Sequence, residues 1–356
     1  MKKKFEKLKE ISVSSLIKCI FWAILVVICI LAVAFEDRLQ YSFNNFGKIE
    51  KHDVKAYFLD VGQASSTVII FPNDKVMIVD TGSVDSEETF MEQVDVIFRA
   101  NNIDKVDELI LSHSDADHIG GTVALLKKYQ VDKVVRPNAK STSEFETIED
   151  ALTVSTETYK NVIDAIYSEP NCEVSTTKNE SWQEGEACVK IYAPHETSYS
   201  DTNSYSSIVY IEYDEQSFLL MGDAVGVRES EFISDLEDDL DVTFLLVAHH
   251  GSKTSTTQEF LGKVHPTYAI VSAEDDVYPT SEVVERLEDA DVEQIYCTRD
   301  RGMIGVGVSK DGNFEVHSMG KRFELPALLC CFALLLFLFM KIIEDSFAGK
   351  TIKFRK

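Results

Sequence analysis

Short apolar runs separated by turn-forming residues dominate the middle of the chain, a pattern typical of buried β-strands. They predict strands at residues 54–59, 67–71, 76–79, 106–111, 131–135, 189–192, 208–213, 218–220, 242–247, 268–271, 292–296 and 303–308. Apolar residues at helical spacing predict helices at 87–101, 147–167, 256–263 and 281–287, besides one that begins near Thr122. Strand-rich halves with flanking helices indicate two packed sheets covered by helices on both outer faces.

Each end of the chain carries a long apolar segment, at residues 17–35 and 325–343. A helix needs about 20 apolar residues to cross a bilayer, so both segments are predicted to be transmembrane helices. The first could instead be a cleaved signal peptide, because Ala32-Val33-Ala34 resembles a cleavage site, although its apolar stretch is long for that role.

The flanks of the two segments predict how the chain lies in the cell membrane. Basic residues dominate the tails at 1–16 and 344–356, and the positive-inside rule places such tails in the cytoplasm. A polar linker at 36–53 leads into the central domain, predicted at 54–318. That domain is therefore expected to be extracellular.

The central part of the chain is strongly acidic. The whole chain has 60 acidic and 35 basic residues, a net charge of −25. Residues 1–35 carry +4 and residues 325–356 carry +3, which leaves −32 for residues 36–324. Such a surface repels nucleic acid unless metal ions or local basic residues reverse the field. The charge disfavours a nucleic-acid substrate without excluding one.

Three of the seven cysteines lie in the central part of the chain, at Cys172, Cys188 and Cys297. Cys172 and Cys188 bracket two runs that could pair as a hairpin. A disulfide between them is therefore an open alternative in an oxidising compartment.

The stretch from His113 to His118, with Asp115 and Asp117 between, carries the strongest chemical signal. It follows the strand predicted at 106–111 and precedes Gly120-Gly121, a pair expected to let the backbone turn tightly into the next helix. A helix cap needs one acidic residue, whereas alternating imidazoles and carboxylates suit a site for two divalent cations. Imidazole nitrogens favour zinc or manganese, and carboxylates favour harder ions.

Further polar residues stand where predicted strands end. Asp60, Asp80 and Asp223 each follow a strand, and the pair His249-His250 follows another. A single carboxylate at a strand end is more typical of a turn. Because sheet enzymes often build sites on loops at strand ends, the joint occurrence predicts one site assembled from several strands.

These segments together resemble the metallo-β-lactamase fold, and within it the domain of ComEC-type competence (DNA-uptake) proteins. The resemblance covers about residues 54–316 and rests on segments 58–63, 78–82, 112–121, 206–209, 222–223 and 249–255. It does not extend to the many-helix channel region of the competence proteins. It implies an α/β (α+β) sandwich of layer order αββα that binds two divalent metal ions, zinc or manganese, between its sheets.

The resemblance also implies metal ligands. His113 and Asp115 would bind the first ion, Asp117 and His118 the second, and Asp223 would bridge them. Either His249 or His250 would close the second site, and His195 is a further candidate ligand. Asp115 stands where many metallo-β-lactamases have His, so the oxygen-rich set suits manganese as well as zinc.

Residues around the ligands receive supporting roles by the same resemblance. Asp60 and Asp80 would orient ligand histidines. Ser252, Lys253 and Thr254 could hold a substrate phosphate or carboxylate, although Ser255 could also mark an ordinary helix start. Tyr278 occupies a position where related domains often carry His, and it could replace that His as a donor.

The resemblance implies a membrane-anchored, dinuclear hydrolase that acts on phosphoesters through a metal-bridging hydroxide, with Asp117 or Asp223 accepting the proton. Two alternatives stay open. One is a hydrolase of small esters, lactones or surface phosphocholine, which the acidic charge favours over a nuclease. The other is a non-catalytic, metal-stabilised accessory module of an uptake or envelope complex. The expected partners are the membrane and a small phosphoester or ester, while protein partners are not predicted.

Overall fold

The computed structural model describes residues 20–25, 27, 28, 49, 52–137, 156–196, 198–319, 336, 339 and 341. Its strands are β1 (Val54–Phe58), β2 (Thr67–Ile70), β3 (Val76–Val79), β4 (Lys105–Ile110), β5 (Gln130–Arg136), β6 (Glu173–Thr176), β7 (Glu180–Glu184), β8 (Ala187–Tyr192), β9 (Ile208–Tyr213), β10 (Gln216–Leu220), β11 (Phe244–Leu246), β12 (Tyr268–Val271), β13 (Gln294–Cys297), β14 (Ile304–Val308) and β15 (Phe314–Ser318). Its α-helices are α1 (Glu87–Asn101), α2 (Ala116–Ile119), α3 (Thr122–Lys128), α4 (Glu157–Ser168), α5 (Gly226–Asp235), α6 (Gln258–Val264), α7 (Ser281–Asp289) and α8 (Thr298–Arg301).

The strands form two sheets. The first has the order β15-β14-β1-β2-β3-β4-β5-β6, and the second has the order β13-β12-β11-β10-β9-β8-β7. Strands β3 to β6 are parallel, as are β10 to β13. The carboxyl ends of parallel strands meet at one edge of a sheet, and the loops at such an edge can gather side chains from several strands.

Alternation along the strands builds three apolar layers. In β9, Val209 and Ile211 point between the two sheets, whereas Ile208 and Tyr210 point to the outer face of the second sheet. That outer face is covered by α5, α6 and α7, and the outer face of the first sheet by α1, α3 and α4. The layers therefore stack helix, sheet, sheet, helix, the αββα arrangement expected from the sequence.

Most elements fall where the apolar pattern predicts them, and α1 matches its predicted bounds. The helix predicted at 147–167 is described only from Glu157 to Ser168, because residues 138–155 lie outside the described part. Helix α5 and strand β15 were not predicted. In α5, Arg228 and Glu229 are both buried, so the helix lacks a simple apolar stripe.

The open alternative of a Cys172–Cys188 disulfide is wrong for this structure, in which both residues are free thiols. Cys172 precedes β6 in the first sheet, whereas Cys188 lies in β8 of the second. The two runs between them do not form a hairpin, because β7 pairs with β8 instead.

The described residues from 49 to 319 belong to one compact unit. Residues 20–25, 27 and 28 are helical. The predicted membrane segments at 17–35 and 325–343, with their basic tails, lie largely outside the described residues and stay predictions. Within the part of the chain that the structure describes, no helix has the length and apolar character needed to cross a membrane.

Candidate metal centre

Four potential ligands from both sheets converge at one point. Asp117 and His118 lie in α2, after β4 of the first sheet, while Asp223 and His250 follow β10 and β11 of the second. One ligand atom from each residue lies within 4.8 Å of the others. The sandwich thus brings together residues that are up to 133 positions apart in the chain.

Three residues in or beside the cluster have backbone conformations that are uncommon outside glycine. Asp80, His249 and His250 have φ of 61°, 52° and 55°, in the left-handed region. Gly251 follows with φ of 83°, and a Cβ there would lie 2.4 Å from that of Pro279. Such conformations each cost about 1–3 kcal/mol and persist where the surrounding structure imposes them. The loop that presents the His pair is therefore tightly constrained.

Gly120 and Gly121 serve a different purpose from the tight turn expected of them. Both have ordinary right-handed helical angles. A Cβ on Gly120 would lie 2.1 Å from the backbone nitrogen of Val84, and one on Gly121 2.4 Å from the carbonyl oxygen of Thr81. The two glycines are required because the 81–84 loop, which follows Asp80, packs directly against α2.

Contacts on the far side of each imidazole ring fix its direction. The Nδ1 atom of His118 lies 2.7 Å from Oδ2 of Asp80, and Nδ1 of His250 donates to the carbonyl of Ser272 at 2.8 Å. Asp80 is itself held by the amide and hydroxyl of Ser112, both at 2.7 Å. The Nε2 atoms of His118 and His250 are therefore aimed into the cluster, the arrangement typical of metal-binding histidines.

These residues fit a divalent metal ion. Among the described residues, the Nε2 atoms of His113, His118 and His250 are buried and have no hydrogen-bond partner. The Nε2 atom of His118 lies 3.0 Å from Oδ1 of Asp223, but without hydrogen-bond geometry. A buried polar atom without a partner costs about 1–3 kcal/mol. Three such atoms beside carboxylates match the nitrogen and oxygen ligands that proteins use for divalent metal ions.

A second group of predicted ligands lies beside the first. His113 Nε2 is 3.7 Å from Asp115 Oδ2, and the His113 and His118 ring centres are 4.2 Å apart. His249 Nε2 faces Oδ2 of Asp223 at 3.8 Å, whereas His118 and His250 face Oδ1. The two oxygens of the Asp223 carboxylate thus face different groups of imidazoles.

Charge coupling within the centre is strong. Burial alone would lower the pKa of His118, but the charges of Asp223 and Asp80 raise that pKa well above its ordinary value. Burial alone would raise the pKa of Asp223, but the charges of His118 and His250 hold it well below its usual range. Burial alone would raise the pKa of Asp117, but the adjacent His250 imidazole and the charge of His118 lower it. The carboxylates are therefore ionised at neutral pH, ready to bind a cation.

The other predicted site residues lie at varied distances from the centre. His195 is placed elsewhere, with its Nε2 2.9 Å from Oδ1 of Asp235 in α5 and its amide bonded to Glu231, so it does not join the cluster. Asp60 bonds through its backbone to Gln93 and lines a cleft of about 670 Å³ beside Asp117.

The predicted substrate residues follow the His pair directly. The hydroxyl of Thr254 is 3.3 Å from Nδ1 of His249 and 3.0 Å from the hydroxyl of Ser252. The carbonyl of Lys253 accepts a hydrogen bond from Arg286. Tyr278 precedes a cis proline, and its carbonyl accepts from Arg299.

Three serines that support the ligands were missed by sequence reasoning. Ser112 holds Asp80, the hydroxyl of Ser206 accepts from the amide of Asp223 at 3.1 Å, and the Ser272 carbonyl orients His250. Ser112 lies within the motif segment 112–121 and Ser272 follows β12, so their places at strand ends were the available signal. Ser206 lies in segment 206–209, which carries part of the family resemblance, but its position in the sequence does not show that it contacts Asp223.

The chain is similar to several known proteins. The Recombination protein 2 of Haemophilus influenzae is 29% identical over 235 residues, and the ComE operon protein 3 of Bacillus subtilis is 28% identical over 228. These matches cover 66% and 60% of this chain, which spans only 26% and 28% of the relatives' lengths. The metallo-beta-lactamase fold protein YhfI of Bacillus subtilis aligns with a TM-score of 0.43 at 10% identity, over 68% of this chain and 96% of its own. The family model of the metallo-beta-lactamase superfamily matches residues 59–273. The chain therefore belongs to the metallo-beta-lactamase superfamily.

Proposed function

We propose that the chain is a metal-dependent hydrolase whose substrates are phosphoesters. The observation that carries this proposal is the set of three buried imidazole nitrogens, from His113, His118 and His250, without hydrogen-bond partners among the described residues. They face carboxylates that are ionised at neutral pH. Nothing in the packing of a sandwich core needs such a group, whereas metal-assisted hydrolysis does.

The proposal includes two ions rather than one. Asp117, His118 and His250 would hold one ion with Oδ1 of Asp223. His113, Asp115 and His249 surround the side of Asp223 that presents Oδ2, and would hold the other. In this arrangement His250 closes the site of Asp117 and His118, while His249 serves its neighbour. When bound, such ions lower the pKa of water and stabilise the oxygens of a displacement.

The protein's own residues would orient the reactants. The side chain of Asp117 is 36% exposed and lies at the boundary between the buried cluster and the adjacent cleft. Because it is ionised at neutral pH, it would hydrogen-bond an attacking water and accept its proton. Asp223, almost fully buried, would keep its charge and fix the spacing of the ligands. Ser252, Lys253 and Thr254, which directly follow the His pair, would bind the anionic group of the substrate.

A specific observation favours small substrates over DNA. The cleft beside Asp117 is also lined by Asp60, Asp85 and Glu274, and no basic residue is among the described residues that line it. A polynucleotide needs a positively charged groove along its backbone. A small phosphoester, or a small uncharged ester or lactone, could reach the centre without such a groove. DNA hydrolysis is therefore the less favoured of the two outcomes.

Membrane anchorage also belongs to the proposal. It is supported by the apolar segments at 17–35 and 325–343 and by the basic residues that flank them. Both termini would be cytoplasmic and the central domain extracellular. Protease treatment of intact cells tests this orientation, since an outward domain is digested without lysis, whereas an inward domain is protected until lysis.

The activity can be tested on the full-length chain purified in detergent. Bound metal is quantified, and hydrolysis of bis-p-nitrophenyl phosphate, p-nitrophenyl acetate and DNA is measured with and without a chelator. The variants His118→Ala and Asp117→Asn should lose roughly a hundredfold or more in kcat/KM, and Asp311→Asn, at a fully exposed aspartate, is the matched control. Full activity in both site variants would refute the proposal. Metal binding without turnover of any substrate class would favour a non-catalytic accessory module.

A further inference from the structure

The segment that follows the His pair, residues 252–257, is held by two oppositely charged side chains from different helices. It carries Ser252, Lys253 and Thr254, the residues proposed to bind the substrate anion. It joins the 3-10 turn at Ala248–Gly251 to α6. We call residues 252–257 the anchor segment.

Glu229 of α5 holds the end of the anchor segment from the interior of the protein. Its side chain is fully buried, and its carboxylate accepts hydrogen bonds from the backbone amides of Thr256 and Thr257. The backbone of Thr256 is left-handed, with φ of 55°. A buried carboxylate is costly unless it is fully hydrogen-bonded, so these two amides are specifically matched to Glu229.

Arg286 of α7 holds the same segment through its carbonyl groups. Its Nη1 atom donates to the carbonyls of Ser255 at 2.8 Å and Thr256 at 3.2 Å, and Nη2 donates to that of Lys253 at 3.1 Å. At residue 256, therefore, the amide is taken by Glu229 and the carbonyl by Arg286. Gly226, at the start of α5, donates a further hydrogen bond from its amide to the carbonyl of Thr254.

We propose that Glu229 and Arg286 are positioning residues that keep the anchor segment in one conformation for binding the anionic group of the substrate. The inference rests on the function proposed above. A connection that only has to reach the next helix could be satisfied by water, as most surface loops are. Here five hydrogen bonds from two charged side chains fix its backbone while leaving Thr254 exposed beside His249. Rigid presentation lowers the entropy that is lost when a ligand binds.

The test uses the full-length, metal-loaded chain and three variants. Glu229→Gln keeps the size of the side chain but puts an amide NH₂ group against one of the two backbone amides. Arg286→Gln removes the bonds to the carbonyls at a position that is only half-buried, and so serves if Glu229→Gln fails to fold. Glu259→Gln, at an exposed glutamate in the first turn of α6, is the matched control.

Four measurements are made: the Kd for inorganic phosphate, the bound metal, the amide exchange rates of Thr256 and Thr257, and the kinetics of bis-p-nitrophenyl phosphate hydrolysis. Loss of one charge-assisted hydrogen bond should raise the phosphate Kd about tenfold. Exchange at Thr256 and Thr257 should accelerate by a similar factor, with metal content unchanged. For bis-p-nitrophenyl phosphate, KM should rise in the same proportion while kcat changes by less than about threefold. Glu259→Gln should match the wild type in every measurement.

The inference is overturned if the phosphate Kd is unchanged in the folded variants, or if it rises only in proportion to lost metal. Loss of metal would mean that the two residues support the ligands rather than the anchor segment. If the wild type neither binds phosphate nor hydrolyses any ester, the proposed function fails instead. Even in that case, amide exchange rates at Thr256 and Thr257 that are the same in the variants and the wild type would reject the positioning role.

Discussion

Replacing Asp80 by Asn tests how far the metal centre depends on a residue that is not itself a proposed ligand. Asp80 is buried, and its carboxylate bonds the amide and hydroxyl of Ser112 and lies 2.7 Å from Nδ1 of His118. Asn has the same shape and tolerates the left-handed backbone at this position. Its single oxygen can still accept from the Ser112 amide, but its NH₂ group then faces the Ser112 hydroxyl and His118. The variant should therefore fold while presenting a donor where the imidazole needs an acceptor.

The expected loss follows from the tautomer of His118. Without an acceptor at Nδ1, the ring proton is favoured on Nε2, the atom that points into the cluster. Replacing such an orienting partner typically weakens metal binding tenfold to a hundredfold, about 1.4 to 2.8 kcal/mol. Ser112→Ala removes one bond to Asp80 and leaves the contact between Asp80 and His118. It should therefore have the smaller effect.

The assay is metal affinity of the full-length chain, measured by competition with a chromophoric chelator. Asp74→Asn is the matched control, because Asp74 is exposed and has φ of 63°, so the same substitution occurs in the same backbone conformation. Asp74→Asn should leave the affinity unchanged. A folded Asp80→Asn variant with wild-type affinity would refute the reasoning that Asp80 sets the tautomer of His118.

Three further predictions concern packing, protonation and His195. Gly121→Ala should destabilise the protein by about 3 kcal/mol or more in thermal unfolding, since its Cβ would meet the Thr81 carbonyl, whereas Gly262→Ala, with open space around it, should be neutral or stabilising. Equal unfolding temperatures for the two variants would contradict this. The pKa of His118 is higher in the folded, metal-free protein than in the unfolded chain. Protonation of His118 therefore stabilises the metal-free protein fully below a pH of about 6.5, and this stabilisation is lost as the pH rises through the pKa of the folded state. Protons therefore compete with the metal for His118. Calorimetry in two buffers should show that metal binding releases protons and that metal affinity increases with pH. A metal affinity that does not change with pH would contradict this prediction. His195→Ala should keep the metal content and lose less than about 1 kcal/mol of stability, as His195 only pairs with Asp235 near the surface. Loss of an ion in that variant would return His195 to the ligand set.

The fold and the main ligand motif of the site were predictable because each is marked by a pattern within a short stretch of sequence. The continuous apolar run of β9 predicts a buried strand, and the helical spacing in α1 indicates which face of that helix is buried. The stretch from His113 to His118 concentrates ligands that a core does not use. Asp80 and Asp223 were found for a related reason, since each ends a strand. Local sequence was sufficient to predict an element or a ligand wherever the residues that form it lie in one continuous segment.

What could not be predicted depends on contacts between distant segments. The glycines at 120 and 121 look like turn residues, but the 81–84 loop is what requires them. Helix α5 is hidden because Arg228 and Glu229 are buried, and their partners lie 22 and 28 residues away, at Ser206 and Thr257. Which of His249 and His250 lies with Asp117 and His118 also depends on distant groups, namely the Ser272 carbonyl and the two oxygens of Asp223.

The central claim is that imidazoles and carboxylates from both sheets bind a pair of divalent cations. The most direct measurement is the metal content of the full-length chain after exhaustive dialysis, compared between the wild type and His118→Ala. Two equivalents of zinc or manganese per wild-type chain, with one or fewer in the variant, is the predicted result. A correctly folded wild-type chain that retains no divalent metal, even after incubation with zinc or manganese, would contradict the claim.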